Sequence, residues 1–148
     1  MYQKILLCYD GSVEGRNALK EGADIAICMK AETYLLAIVR TMTGMYVAEG
    51  VTEAYFSEED KMAREILDQG VAWLREHGLE AHGRLAVGDP IQVIQEAANR
   101  LGVDLIVLGH RPRGRLARWW AGHAEGASLL DRVHCSILAA IAHESPGH

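Results

Sequence analysis

The stretch GDPIQVIQEAANRLGVDLIVL, Gly88 to Leu108, decides the fold class. Asp89 followed by Pro90 is a helix start: an acidic cap, then a proline at the first helical position, where its missing N–H has no intrahelical partner to lose. Ile91, Ile94, Ala98 and Leu101 recur at helical spacing and predict one buried stripe. Residues 103–108 read as a strand whose apolar run, interrupted only by Asp104, suits a central strand covered on both faces. A helix feeding such a strand is half of a β–α–β unit, so the question is whether the rest of the chain repeats it.

It does, on both sides. Residues 5–9 read as a buried strand, and DGS at 10–12 turns it into a helix with Ser12 at the cap. Ala18, Leu19, Gly22, Ile25, Ala26 and Met29 would face the sheet. Residues 33–39 form a second strand. Arg40 to Ala54 has no strong period and reads as a loop, and a helix follows over 55–77 with Ala63, Ile66, Leu67, Gly70, Val71 and Leu74 on one face and Gly78 closing it. A third strand is expected at 82–87, a fourth helix at 124–133, and a last strand at Ser136 to Ala142. The order βαβαβαβαβ predicts an α/β fold: a doubly wound, five-stranded, mostly parallel sheet with helices on both faces, in one domain over 1–148.

In such a sheet ligands bind beyond the carboxyl ends of the strands, where the winding reverses. Two loops fall there, one after the first strand and one after the fourth. The second, RPRGRLARWWAGH over 111–123, crowds Arg111, Arg113, Arg115 and Arg118 together, whereas the acids lie elsewhere, eight of the twenty between Glu53 and Glu80. Phosphate binding and a solvated surface loop are both open readings of that charge run. Trp119 and Trp120 follow Leu116 at helical spacing, as a turn packed on the domain or as a partner surface.

The segments LLCYDGS (6–12) and VLGHRPRGRLARWWAGHAEGASLLDRVHCSIL (107–138) resemble the universal stress protein family, and the resemblance covers essentially the whole chain. Nucleotide-binding members of that family carry Gly, two residues, Gly, nine residues, Gly, then Ser or Thr. Laid on this sequence, the pattern puts Gly109 first, Pro112 second, Gly122 third and His123 at the hydroxyl, so two positions of four depart from it. The resemblance implies a cytoplasmic, dimeric stress-response module. It also implies an adenine-nucleotide site, for ATP with Mg, at Asp10, Val39, Gly109, Gly122 and His123, to which His110 at the strand exit and Arg111 and Gly114 in the loop are added as candidates. Ile38 and Val39 stand where the family has an apolar wall beside the base; a plain core role fits them equally.

The departures have physical content. Glycine lets backbone N–H groups approach phosphate closely. Proline at 112 has no N–H and restricts Arg111 as well. A hydrogen bond to a charged group contributes about 1.5 to 3 kcal/mol, so losing one lowers affinity roughly tenfold to a hundredfold unless Gly114 and the arginines compensate. His123 keeps a donor but is bulkier than a hydroxyl, and one extra residue follows it near 124–126. A nucleotide-free stress protein acting through protein partners is the alternative.

Composition excludes other classes. A net charge of −5 and a pI near 5.8 provide no general basic field, so nucleic acid is not an expected partner. No run of about 18 apolar residues exists, and the start MYQKILLCYDGS has no signal-peptide segment, so no membrane association and a cytoplasmic location are expected. Cys8, Cys28 and Cys135 are widely spaced without CxxC or zinc-type histidine spacing, and read as buried free thiols with no metal cage.

There is no G-x-S-x-G elbow, Walker loop or G-x-G-x-x-G fingerprint. A phosphoacceptor receiver would need clustered carboxylates and a lysine after the last strand, and SILAAIAHE has none. Catalysis is thus limited to weak ATP hydrolysis using Asp10, Asp89 and the arginine loop. The apolar last strand, Ser136 to Ala142, would leave an unprotected edge unless it pairs with a second copy, and the resemblance implies a homodimer through it.

Overall fold

The computed structural model describes residues 1–9, 13–39, 58–110 and 129–141. Its elements are β1 (Lys4–Tyr9), α1 (Val13–Met29), β2 (Glu32–Val39), α2 (Glu58–Glu76), β3 (Ala81–Val87), α3 (Pro90–Leu101), β4 (Leu105–His110), α4 (Leu129–Arg132) and β5 (Ser136–Ile141). The five strands form one all-parallel sheet in the order β3-β2-β1-β4-β5. Winding runs outward from β1 through β2 to β3, then returns across it to β4 and β5. The reversal therefore lies between β1 and β4.

Alternation along each strand sorts the core into two halves. Ile5, Leu7 and Tyr9 of β1 pack with Leu35, Ala37, Leu105 and Val107 under α1 and α2. Leu6 and Cys8 pack with Leu36, Ile38, Ile106 and Leu108 under α3 and Leu129 of α4. With both faces covered, the stretches 5–9 of β1 and 105–108 of β4 are apolar and buried.

α3 forms for the reasons its sequence states. Asp89 is its N-cap, its carboxylate accepting from Gln92 N at 3.1 Å, and Pro90 opens the first turn. Pro90, Ile94, Ala97 and Ala98 are buried, with Ile91 and Leu101 partly so. Gly102 ends the helix at φ 66°, a left-handed conformation that glycine adopts without a Cβ clash, and donates to the Ala98 carbonyl at 3.0 Å. α2 buries Ala63, Leu67, Val71 and Leu74 at spacings of four, four and three. Its Arg75 Nε donates to the Ala81 carbonyl at 3.0 Å, fixing the end of the helix to the start of β3.

Three expectations change. β4 begins at Leu105 rather than at 103, because Val103 closes the α3 terminus onto the Ala98 carbonyl and Asp104 turns its carboxylate to β1. Met29 ends α1 exposed, while Ala23 takes a buried place on that helix. Of the thiols only Cys8 is buried; Cys28 is exposed and Cys135 intermediate. The expected loop at 40–54, the Ser12 cap, Trp119, Trp120 and residues 124–128 of the fourth helix lie outside the described residues.

Candidate functional site at the carboxyl edge of the sheet

Strand register shows where the sheet opens. β1 pairs with β2 along its whole length, from Lys4↔Glu32 to Tyr9↔Ala37, and β4 pairs with β5 up to His110↔Ile141. Between β1 and β4, by contrast, the ladder among the described residues covers only Ile5↔Leu105 to Leu7↔Val107. The two halves of the sheet part over their last residues. A crevice at the carboxyl ends of the two central strands is the place where open α/β sheets take ligands.

Of the sequence-derived nucleotide-site residues, Val39, Gly109 and His110 are described. Gly109 is buried in β4 opposite Ala140, and His110 is the last residue of that strand. Val39 ends β2, half-buried and opposite Val87, with its carbonyl accepting from Gly88 N at 3.0 Å. Ile38 is 3% exposed and belongs to the core under α3. Asp10, Arg111, Gly114, Gly122 and His123 lie outside the described residues, as do Pro112, Arg113, Arg115 and Arg118. The fold thus brings the ends of β1, β2 and β4 to one edge, with Val39 separated from β4 by the width of β1.

Gly88 was not singled out by sequence reasoning. It adopts φ 145°, outside the range favoured by residues with a Cβ, and its N–H closes on β2. It therefore turns the chain from β3 into α3 at this same edge, and the GDP triplet carries the only signal of it. Asp89, a candidate carboxylate for catalysis, is engaged as the α3 cap. A groove of about 380 Å³, lined by Tyr34, Leu36, His82, Arg84, Ala97 and Leu101 among others, lies on the α3 face of the sheet toward β3, away from the crevice.

Among the described residues no helix is long and apolar enough to cross a membrane. A model of the universal stress protein family matches residues 1–140. A universal stress protein of Bacillus subtilis is 33% identical over 119 residues, spanning 75% of this chain and 80% of its own length. Three solved structures share the fold. One, from Burkholderia pseudomallei, has a TM-score of 0.68 at 23% identity, covering 93% of this chain and 95% of its own. A universal stress protein in complex with cAMP has a TM-score of 0.64 at 22% identity, covering 97% and 99%. A third, from Archaeoglobus fulgidus in complex with dAMP, has a TM-score of 0.60 at 20% identity, covering 93% and 97%.

Proposed function

Because this chain belongs to the universal stress protein family, we propose that it is a cytoplasmic, homodimeric stress-response module that binds an adenine nucleotide in the crevice between β1 and β4. The nucleotide in this reading is ATP. Gly109, His110, Arg111, Gly114, Gly122 and His123 hold its phosphates, and Asp10 and Val39 hold its adenine and ribose end. Mg²⁺ enters with the phosphates, since it dehydrates reluctantly and is seldom caged by protein alone.

The parting of β1 from β4 beyond Leu7↔Val107 carries the reading, because it leaves buried Gly109 at the lip with no side chain to keep a ligand away from the backbone. The solved relatives whose complexes hold cAMP and dAMP support an adenine nucleotide as the ligand class. For the dimer, support comes from β5, an edge strand with Ile137, Leu138 and Ala139 only half-buried in the single chain. Pairing across a two-fold axis would cover it.

Pro112 and His123 favour a second reading, in which the crevice holds no nucleotide and the dimer surface recruits a protein partner. Amide chemical shifts on adding ATP and Mg²⁺ separate the two. The first reading expects movement at Val39, Gly109 and His110, with the amino ends of β2 and β3 unaffected; silence at millimolar nucleotide supports the second. Phosphate release in the same samples tests for weak hydrolysis.

A further inference from the structure

At the other end of the sheet, the amino ends of β2 and β3 bring together four side chains that the nucleotide reading does not use. Glu32 and Tyr34 are two apart on β2 and share a face, as do Glu80, just before β3, and His82 within it. Tyr34 is the register partner of His82, and Thr33 N donates to the Glu80 carbonyl at 2.9 Å, which sets Glu80 beside Glu32. His82 Nε2 lies 3.4 Å from Glu80 Oε1 and 3.7 Å from Glu32 Oε1, and one donor atom from each of the three residues falls within 4.8 Å of the others.

Those separations decide between two accounts of the cluster. Direct N–H···O bonds between imidazole and carboxylate are about 2.7 to 3.2 Å long, shorter than either distance here. Two ligands of one tetrahedral ion, each about 2.0 to 2.1 Å from it, stand roughly 3.3 to 3.4 Å apart. The His82–Glu80 pair therefore stands at the spacing of co-ligands, and the His82–Glu32 pair a little beyond it. Carboxylates on neighbouring strands also repel one another, and a cation between them removes that cost. The site is reachable, since His82 and Glu80 are exposed and Glu32 half-buried.

Tyr34 completes the arrangement. Its hydroxyl donates to Glu32 Oε1 and its ring stacks on His82 with centroids 5.2 Å apart, so it orients one carboxylate and one imidazole at once. Partners that hold metal ligands in place in this way matter nearly as much as the ligands.

We propose that Glu32, Glu80 and His82 form a binding site for a divalent first-row transition ion, with Tyr34 as its positioning residue. One imidazole and two carboxylates suit Zn²⁺ and its neighbours better than Mg²⁺ or Ca²⁺, and three protein ligands leave a position for water. Titration calorimetry of the metal-free full chain with Zn²⁺ alone tests this. One ion per chain is expected to bind with a Kd on the order of micromolar. His82→Ala and Glu80→Gln should each weaken that step more than tenfold, and Tyr34→Phe by about tenfold. His77→Ala, on α2, should not change it, and far-UV circular dichroism checks that each variant is folded. An isotherm unaltered in folded His82→Ala, or no wild-type binding tighter than about 1 mM, overturns the proposal.

Discussion

Asp104 ties together the two strands that part at the crevice. It precedes β4, half-buried, and its carboxylate accepts from Gln3 N at 2.9 Å and from Lys4 N at 3.1 Å, groups 101 and 100 residues away. Its own N–H donates to the Lys4 carbonyl at 2.9 Å, and Lys4 Nζ donates to the Leu101 carbonyl at 3.4 Å.

Asp104→Ala removes both side-chain acceptors. A bond to a charged group contributes about 1.5 to 3 kcal/mol, but water replaces the exposed one at Gln3, so the part-buried N–H of Lys4 dominates and the loss should be about 2 kcal/mol. For a chain of this size that lowers Tm by about 6 °C. Asp104→Asn keeps one acceptor oxygen and should lose about half as much. Urea denaturation followed by circular dichroism measures both variants at an unchanged m-value. A change under about 0.5 kcal/mol in Asp104→Ala, or equal losses in the two variants, would refute the clamp.

A Cβ on Gly22 of α1 would clash with Leu7 Cδ2, and Leu7 is 1% exposed. Overpacking at about 1 to 3 kcal/mol therefore outweighs the helix gain of about 1, and Gly22→Ala should lower Tm; a rise would mean Leu7 swings aside freely. Alkylation of the native protein, followed by peptide mass spectrometry, should modify exposed Cys28 first. Cys135 should follow slowly, because burial and then the Asp104 charge push its thiol up, and Cys8 should react only on unfolding. Rapid labelling of Cys8 would contradict the central place of β1. Chiefly through its bond to Glu32, the Tyr34 hydroxyl is pushed up to about 12, so ultraviolet titration should show a late component that Tyr34→Phe removes. A native value above the unfolded one makes the contribution to stability complete below about pH 10 and lost as pH rises toward about 12. All tyrosines ionising together near pH 10 would argue against the bond.

Local chemistry made the elements legible. Asp89-Pro90 marks the start of α3, and the apolar run at 105–108 marks a strand covered on two faces, because each signal concerns neighbouring residues. Boundaries were less legible where one residue type serves two ends. Val103 reads as an apolar start to β4 yet closes α3, and Met29 fits the stripe of α1 yet lies at its exposed last position. Pairings distant in the chain left no local mark. Nothing near Asp104 announces Gln3 and Lys4, and only the parallel register of β2 with β3 brings Glu80 and His82 to Glu32. For the crevice, the sequence placed Gly109 and Val39 at the ends of their strands, but the separation of β1 from β4 depends on contacts that hydrophobic patterning does not encode.

Nucleotide binding in the crevice is measured by isothermal calorimetry of the purified chain with ATP and Mg²⁺ at low and moderate salt, beside Pro112→Gly/His123→Ser. Micromolar binding that weakens with salt is expected, as arginine contacts to phosphate require, with a gain of about tenfold or more in the double variant. No heat up to millimolar ATP in either protein would contradict it and favour the nucleotide-free reading.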